Sequence, residues 1–253
     1  MIPLRDHNPS VRGSVATITI IGLNALAWVL LQGLGAEPAL SRSVCELGVI
    51  PGELFASAAV GTGIEISPGY RCTVSGDPNW WTPITSMFMH GGWFHILGNM
   101  WFLWLFGDNV EDSMGPVRFA VFYLLCGLAA VAAQAATNPA STVPMVGASG
   151  AIGGVMGAYA VLYPRAPVEM LVVLGFYVSR ATVPAVVMLG YWFLLQILGG
   201  VPTLQGEGGG VAFWAHIGGF LAGIALLPLF RSRARVAAHR ASIEQRWGAR
   251  ARV

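Results

Sequence analysis

The sequence predicts an all-α polytopic membrane protein: a bundle of six transmembrane helices with a long external first loop. Three observations predict it. Of the 253 residues, 55% are hydrophobic and 10% are charged, whereas a soluble domain carries about 25% charged residues. Mean hydropathy is +0.64. Six apolar segments approach the roughly 20 residues that a helix needs to cross a bilayer. The positive charge gathers at one end: all 14 basic residues are Arg, and seven of them lie in residues 231–253. This composition argues against disorder and against a soluble nucleic-acid binder, and 3 cysteines are too few for a disulfide scaffold.

The segments cover residues 14–34, 87–106, 116–136, 149–163, 181–198 and 211–230. Backbone in lipid must satisfy its own hydrogen bonds, so each is expected to be a helix. The first is long for a signal-peptide core and no small-residue cleavage site closely follows it, so no cleavable signal is expected. The stretch 168–178 is apolar but too short to span; it either extends the fifth helix or lies at the interface. An even number of spans puts both termini on one side, and the Arg-rich end places that side in the cytoplasm. Residues 1–230 then form the membrane domain and 231–253 a basic cytoplasmic tail beside the lipid headgroups, with no nucleic-acid partner expected.

The loop 35–90 falls outside. Arg42 and Arg71 there face Glu37, Glu46, Glu53, Glu65 and Asp77, the balance expected of an external loop. Its length predicts short surface helices rather than coil. Cys45 and Cys72 would meet an oxidising compartment, where they either pair or stay separate. Cys126 reads as a small core residue. Asp108, Glu111 and Asp112 fall in an inner loop, and His7 and His239, in polar tails, read as surface residues.

Polar groups inside apolar helices are costly, and they mark function more often than chance would. Here they are His90, His95 and Asn99, then Ser149, then His216. His216 lies five residues into its segment, about 7–8 Å down at 1.5 Å per residue. The segment 149–163 is roughly 22 Å long against a hydrocarbon core of about 30 Å, so Ser149 starts about 8 Å below the outer boundary. His95 and Asn99 share a helix face one turn apart and descend from the same side. Each group has a plainer reading: a serine bonded to its own backbone, a histidine bridging helices, an asparagine linking two of them. The shared depth favours a joint role.

A hydroxyl becomes a useful nucleophile when a histidine within hydrogen-bond reach takes its proton and later returns it to the leaving amine. The resulting oxyanion needs fixed donors, which His95, Asn99 and the Ser149 N–H could supply. Glycine supports the required approach. Gly147 and Gly150 flank Ser149, Gly153 and Gly157 form a small-residue face below it, and Gly219 and Gly223 form another below His216. No metal site is expected, because there is no His-Glu-x-x-His run and no acidic residue at this depth. A transporter would show paired intramembrane charges or a repeated half, and neither is apparent.

Taken in order, Ile2-Pro3-Leu4-Arg5-Asp6-His7-Asn8-Pro9, His90-Gly91-Gly92-Trp93-Phe94-His95-Ile96-Leu97-Gly98-Asn99-Met100, Gly147-Ala148-Ser149-Gly150 and Ala215-His216-Ile217-Gly218-Gly219 resemble the rhomboid family of intramembrane serine proteases, bacterial type. The resemblance covers residues 1–230. It implies a serine endopeptidase of the inner (plasma) membrane that cleaves transmembrane segments of other proteins and needs no cofactor. It implies Ser149 as nucleophile and His216 as general base, a dyad without an acidic member. His95 and Asn99 match the oxyanion-stabilising residues, and His90 a supporting histidine. A non-proteolytic relative that binds client helices is the alternative; the presence of both Ser149 and His216 speaks against it. Two departures stand out. Many members have Trp-Arg where this chain has Trp81-Thr82, and many have an aromatic residue against the catalytic histidine where this chain has Gly153.

Overall fold

Residues 2–204 and 210–250 are described by the computed structural model; Arg252 of the basic tail lies outside them. A short strand β1 (Ile2–Asp6) leads to α1 (Val15–Leu30). The long connection that follows holds α2 (Ala39–Leu47), α3 (Pro51–Leu54), the hairpin β2 (Gly63–Ser67) and β3 (Tyr70–Thr73), and α4 (Thr82–Thr85). Then come α5 (Trp93–Met114), α6 (Pro116–Thr137) and α7 (Ser149–Leu162). A second hairpin, β4 (Pro167–Leu174) and β5 (Tyr177–Pro184), precedes α8 (Ala185–Thr203), α9 (Phe213–Phe230) and α10 (Arg233–Arg250).

The bundle α1 and α5–α9 is all-helical, as the sequence implies. Among the described helices, α6, α8 and α9 are both long and apolar enough to cross a membrane, and α1 and α7 are apolar but shorter. Leu23 and Leu26 of α1, Leu125 and Leu128 of α6, Leu194 and Leu198 of α8, and Leu221 and Leu229 of α9 point outward and exposed. Apolar outer faces on several helices are what a lipid-facing surface requires. The centre is filled by Leu103, Phe106, Phe119, Phe122, Met156, Tyr159 and Leu189, all buried.

Two small antiparallel sheets lie outside the bundle, which the all-α expectation lacks. The segment 168–178 does not extend the fifth helix: it belongs to the β4–β5 hairpin, with β1 added on the β4 edge. The physical cause is legible. Val168, Val172, Val173, Val178, Thr182 and Val183 are β-branched and favour extended backbone. Leu174 pairs with Tyr177 across a two-residue turn whose first residue, Gly175, has φ +60°, the conformation that glycine-first hairpin turns demand.

The second helix of the bundle also differs from expectation. It begins at Trp93 rather than near 87 and continues through the acidic residues to Met114. Those residues are not in a loop, because other elements supply their partners. The Glu111 carboxylate accepts from the N–H groups of Ala16 and Thr17 (2.9 and 2.8 Å) and from the Thr17 hydroxyl (2.8 Å). It thereby caps the first turn of α1, whose N–H groups have no intrahelical acceptor. Asp112 accepts from the Val11 N–H at 2.9 Å and the Arg12 guanidinium at 3.2 Å, and its other near neighbour is His239 Nδ1 at 3.2 Å. His239 is thus no surface residue. It is fully buried, with Nε2 at 3.0 Å from the Asn8 side-chain oxygen, and it holds α10 against the end of α5.

Beside this cluster, Asp6 accepts from the Tyr159 hydroxyl at 2.7 Å and the Asn109 amide at 3.2 Å. Burial pushes its carboxyl from 3.8 up to about 7; the Tyr159 hydrogen bond works against that shift and the Asp108 carboxylate adds to it. The unfolded chain ionises Asp6 near 4, so the folded state loses stability as pH rises from about 4 through 7. Asp6→Asn keeps an oxygen for Tyr159 and cannot ionise. Its melting temperature relative to the parent is therefore expected to rise between pH 5 and pH 8. A pH-independent difference in a detergent melting series would show that Asp6 does not titrate in this range.

Candidate active site

The site forms where α5, α7, α8 and α9 approach one another at the end of the bundle nearest the 31–92 connection. Ser149 is the first residue of α7, and its Oγ lies 2.8 Å from His216 Nε2 on α9. Both residues are half-buried, so the pair is held by the bundle yet reachable.

What brings them together is the absence of side chains between α7 and α9. A Cβ on Gly219 would collide with the Gly150 carbonyl, one on Gly223 with the Gly154 carbonyl, and one on Gly157 with the Phe220 carbonyl. Gly153 faces the His216 carbonyl, where a Cβ would stand at 3.0 Å, and Gly150 faces Ala130 of α6, where it would stand at 2.5 Å. Two helices in backbone contact are spaced by glycine alone. The start of α9 is fixed from α6: the Gln134 side-chain oxygen accepts from the Ala215 N–H at 3.2 Å.

The turn before Ser149 is tied down as well. Gly147 donates its N–H to the Ser86 carbonyl at 2.9 Å, and Val49 pairs with Met145. Gly147 has φ +129°, and a Cβ there would lie 2.7 Å from His95 Nε2 and 3.5 Å from Ser149 Oγ. Glycine is needed on both counts, and the geometry places the His95 ring tip beside the hydroxyl. The 31–92 connection that grips this turn is itself cross-linked by a Cys45–Cys72 disulfide, with Cα atoms 5.2 Å apart. Thr82, standing where many rhomboids carry Arg, is buried and bonds the Asn79 carbonyl at 2.8 Å.

His95 accepts at Nδ1 from the Gly91 N–H, 3.2 Å away. A neutral imidazole with an accepting Nδ1 carries its proton on Nε2, so His95 presents a donor toward Gly147 and Ser149. The His90 ring packs edge-on against His95, with centroids 5.1 Å apart. His90 is fully buried, and among the described residues neither ring nitrogen has a partner; Gln32 holds it by the backbone, accepting its N–H at 2.8 Å and donating to its carbonyl at 2.7 Å. Asn99, one turn beyond His95, is buried, and its amide nitrogen has no partner among the described residues, a donor not yet spent.

Three residues at this end of the bundle escaped the reading of the sequence. Gln196 of α8 is buried, with its side-chain oxygen 2.7 Å from His216 Nδ1. Trp192, one turn before it, lays its ring near the imidazole, centroids 5.8 Å apart at 41°, and so takes the aromatic place that Gly153 leaves open. Gln32 is the third. The signal available was a glutamine inside an otherwise apolar helix, the criterion that singled out Asn99. No group of three or more His, Cys, Asp or Glu side chains able to hold a metal occurs among the described residues.

A family model described as the Rhomboid domain matches residues 77–233, a stretch that holds His90, His95, Asn99, Ser149, Gln196 and His216. The chain is 29% identical over 146 residues to RHOMBOID-like protein 5 of Arabidopsis thaliana, covering 58% of this chain and 42% of that one. To Rhomboid-like protein 11, chloroplastic, of the same plant it is 32% identical over 157 residues, 60% of this chain and 53% of that one. To Rhomboid protease GluP of Bacillus subtilis it is 33% identical over 149 residues, 58% of this chain and 26% of that one. The chain thus spans about half or less of the length of these relatives, which come from a plant and a bacterium alike.

The backbone contact makes a direct prediction. Gly219→Leu forces α7 and α9 apart, and overpacking of this kind costs about 1–3 kcal/mol or more. Its melting temperature in detergent is expected to fall clearly. Gly22→Leu on α1, with open space around it, is expected to melt like the parent. Equal melting of the two variants would remove the close-packing argument.

Proposed function

The chain belongs to the rhomboid family, and on that premise we propose that it is an intramembrane serine endopeptidase cleaving transmembrane segments of other membrane proteins. The observation that carries this reading is the Ser149–His216 hydrogen bond of 2.8 Å between two helices spaced by glycine. Ser149 Oγ attacks the peptide carbonyl as His216 Nε2 takes its proton. The tetrahedral intermediate collapses to an acyl-enzyme, and the same proton goes to the leaving amine. Water, activated by His216 in turn, hydrolyses the ester. The oxyanion is met by His95 Nε2–H, the Asn99 amide and the backbone N–H at the start of α7. His90 acts on the reaction only by packing against His95. No step calls for a cofactor.

The same reading sets the topology. The six helices α1 and α5–α9 each cross the bilayer, and both termini face the cytoplasm of a bacterium across its inner membrane. The 31–92 connection is external, where its disulfide finds an oxidising compartment. Ser149 opens toward that side, and the Arg-rich α10 lies against anionic lipid headgroups. The substrate is a membrane-spanning helix whose outer end unwinds into the site.

Ser149→Ala removes the only nucleophile proposed. It is expected to abolish cleavage of a panel of model transmembrane substrates in detergent while melting like the parent. Proteolysis at the parent rate by this variant would sink the serine mechanism.

Asn99→Ala tests the oxyanion assignment. Loss of one donor costs up to about 100-fold to 1000-fold in a soluble serine protease. Two donors remain here, so a loss of about 10-fold to 100-fold in turnover, roughly 1.4–2.7 kcal/mol, is expected with KM little changed. A purely structural role would instead lower melting temperature and weaken binding as much as turnover.

A further inference from the structure

The amide of Gln196 touches two groups of known character. Its nitrogen lies 3.2 Å from the Trp192 backbone carbonyl, one turn earlier on α8, and its oxygen 2.7 Å from His216 Nδ1. A carbonyl oxygen accepts and never donates, so the NH2 end of the amide must face Trp192 and the oxygen must face the imidazole. That oxygen also only accepts, so Nδ1 carries a hydrogen. A neutral imidazole has one donor and one acceptor nitrogen. Nε2 is therefore left with a lone pair 2.8 Å from Ser149 Oγ, where the hydroxyl is the donor. The opposite tautomer would set the Nδ1 lone pair against the amide oxygen. Flipping the amide to relieve that would set its oxygen against the Trp192 carbonyl.

We propose that Gln196 is a positioning residue: its amide, itself oriented by the Trp192 carbonyl, holds His216 in the one tautomer that can take the Ser149 proton. The consequence for rate rests on the protease reading above; the tautomer does not. During attack the proton moves from Oγ to Nε2, Nδ1 keeps its own, and the amide gains and loses nothing. Soluble serine proteases place a carboxylate at this position. Within an apolar bundle a lone carboxylate is costly to keep ionised, and a neutral amide gives the same acceptor without that cost. Trp192 offers the ring an apolar face but no acceptor for Nδ1.

The test is 15N NMR of the histidine rings of the full-length protein in detergent, with His216 assigned by its loss in His216→Ala. The parent is expected to show a protonated Nδ1 and an unprotonated Nε2. Gln196→Leu is expected to shift the proton toward Nε2 and to slow both peptide turnover and labelling of Ser149 by a fluorophosphonate about 10-fold to 100-fold, with KM and melting little changed. Inverting the tautomer outright costs about 10,000-fold in a soluble protease; here the ring is released rather than inverted, so the loss is smaller. Gln196→Glu keeps an acceptor oxygen toward Nδ1 and is expected to restore the parent tautomer and most of the labelling. A parent spectrum with the proton on Nε2, or an unchanged tautomer in a folded Gln196→Leu, overturns the proposal. Should Gln196→Leu not fold, the parent spectrum and Gln196→Glu decide it. A protonated Nδ1 in a protein that cleaves no substrate would leave Gln196 in this role and remove the protease reading instead.

Discussion

The structure depends on one contact above all: α7 and α9 meet backbone to backbone. Gly219 and Gly223 each bring a Cα against a carbonyl of α7, and Gly157 returns the contact from the other side. In lipid there is no hydrophobic drive to press two helices together, so close packing and weak polar contacts between backbones must do it. The Ser149–His216 pair inherits its geometry from this contact. Ser149 sits at the first turn of one helix and His216 near the first turn of the other, and both side chains are short. A single added methyl group at Gly219 is incompatible with the present spacing.

The other end of the bundle is organised by charge rather than by contact area. Glu111, Asp112 and Asp108 end α5 close to Asp6 and His239, a concentration of acid that would be unstable without partners. The partners arrive from both chain termini. Glu111 completes the first turn of α1, Asp112 accepts from the segment just before it, and His239 reaches back from α10. The residues before α1 and after α9 therefore act as clasps on α5.

Much of this was legible in the sequence. Residues that are costly in lipid stand out individually, and a depth estimate from helical rise brought Ser149 and His216 to one level; they are in fact hydrogen-bonded. The glycine faces could be read from spacing alone. The β4–β5 hairpin was missed because the stretch 168–178 is mostly apolar, like a helix segment, and the deciding signals were β-branching and one glycine. His239 was missed because a charged neighbourhood in sequence suggests a surface, while its partners, Asn8 and Asp112, are 231 and 127 residues away. Gln196 stands out as a glutamine in an apolar helix, but its partner does not. Nothing along α8 shows that its amide faces a histidine twenty residues on, past a turn and into another helix.

The two imidazoles beside Ser149 are set to opposite tasks by neutral groups. The Gly91 N–H occupies His95 Nδ1 as an acceptor, which leaves Nε2–H as a donor. The Gln196 oxygen occupies His216 Nδ1 as a donor, which leaves Nε2 as an acceptor. On the proposed protease reading, one ring stabilises developing negative charge while the other receives a proton, and neither needs a resident ion to choose its tautomer. An ion held in an apolar bundle must be compensated at all times, whether or not substrate is bound. Amide and peptide dipoles carry no such standing cost. They are also already aligned when charge first appears on the reacting oxygen, which is the condition under which electrostatic stabilisation is largest. A membrane-embedded site has more reason than a soluble one to be built this way.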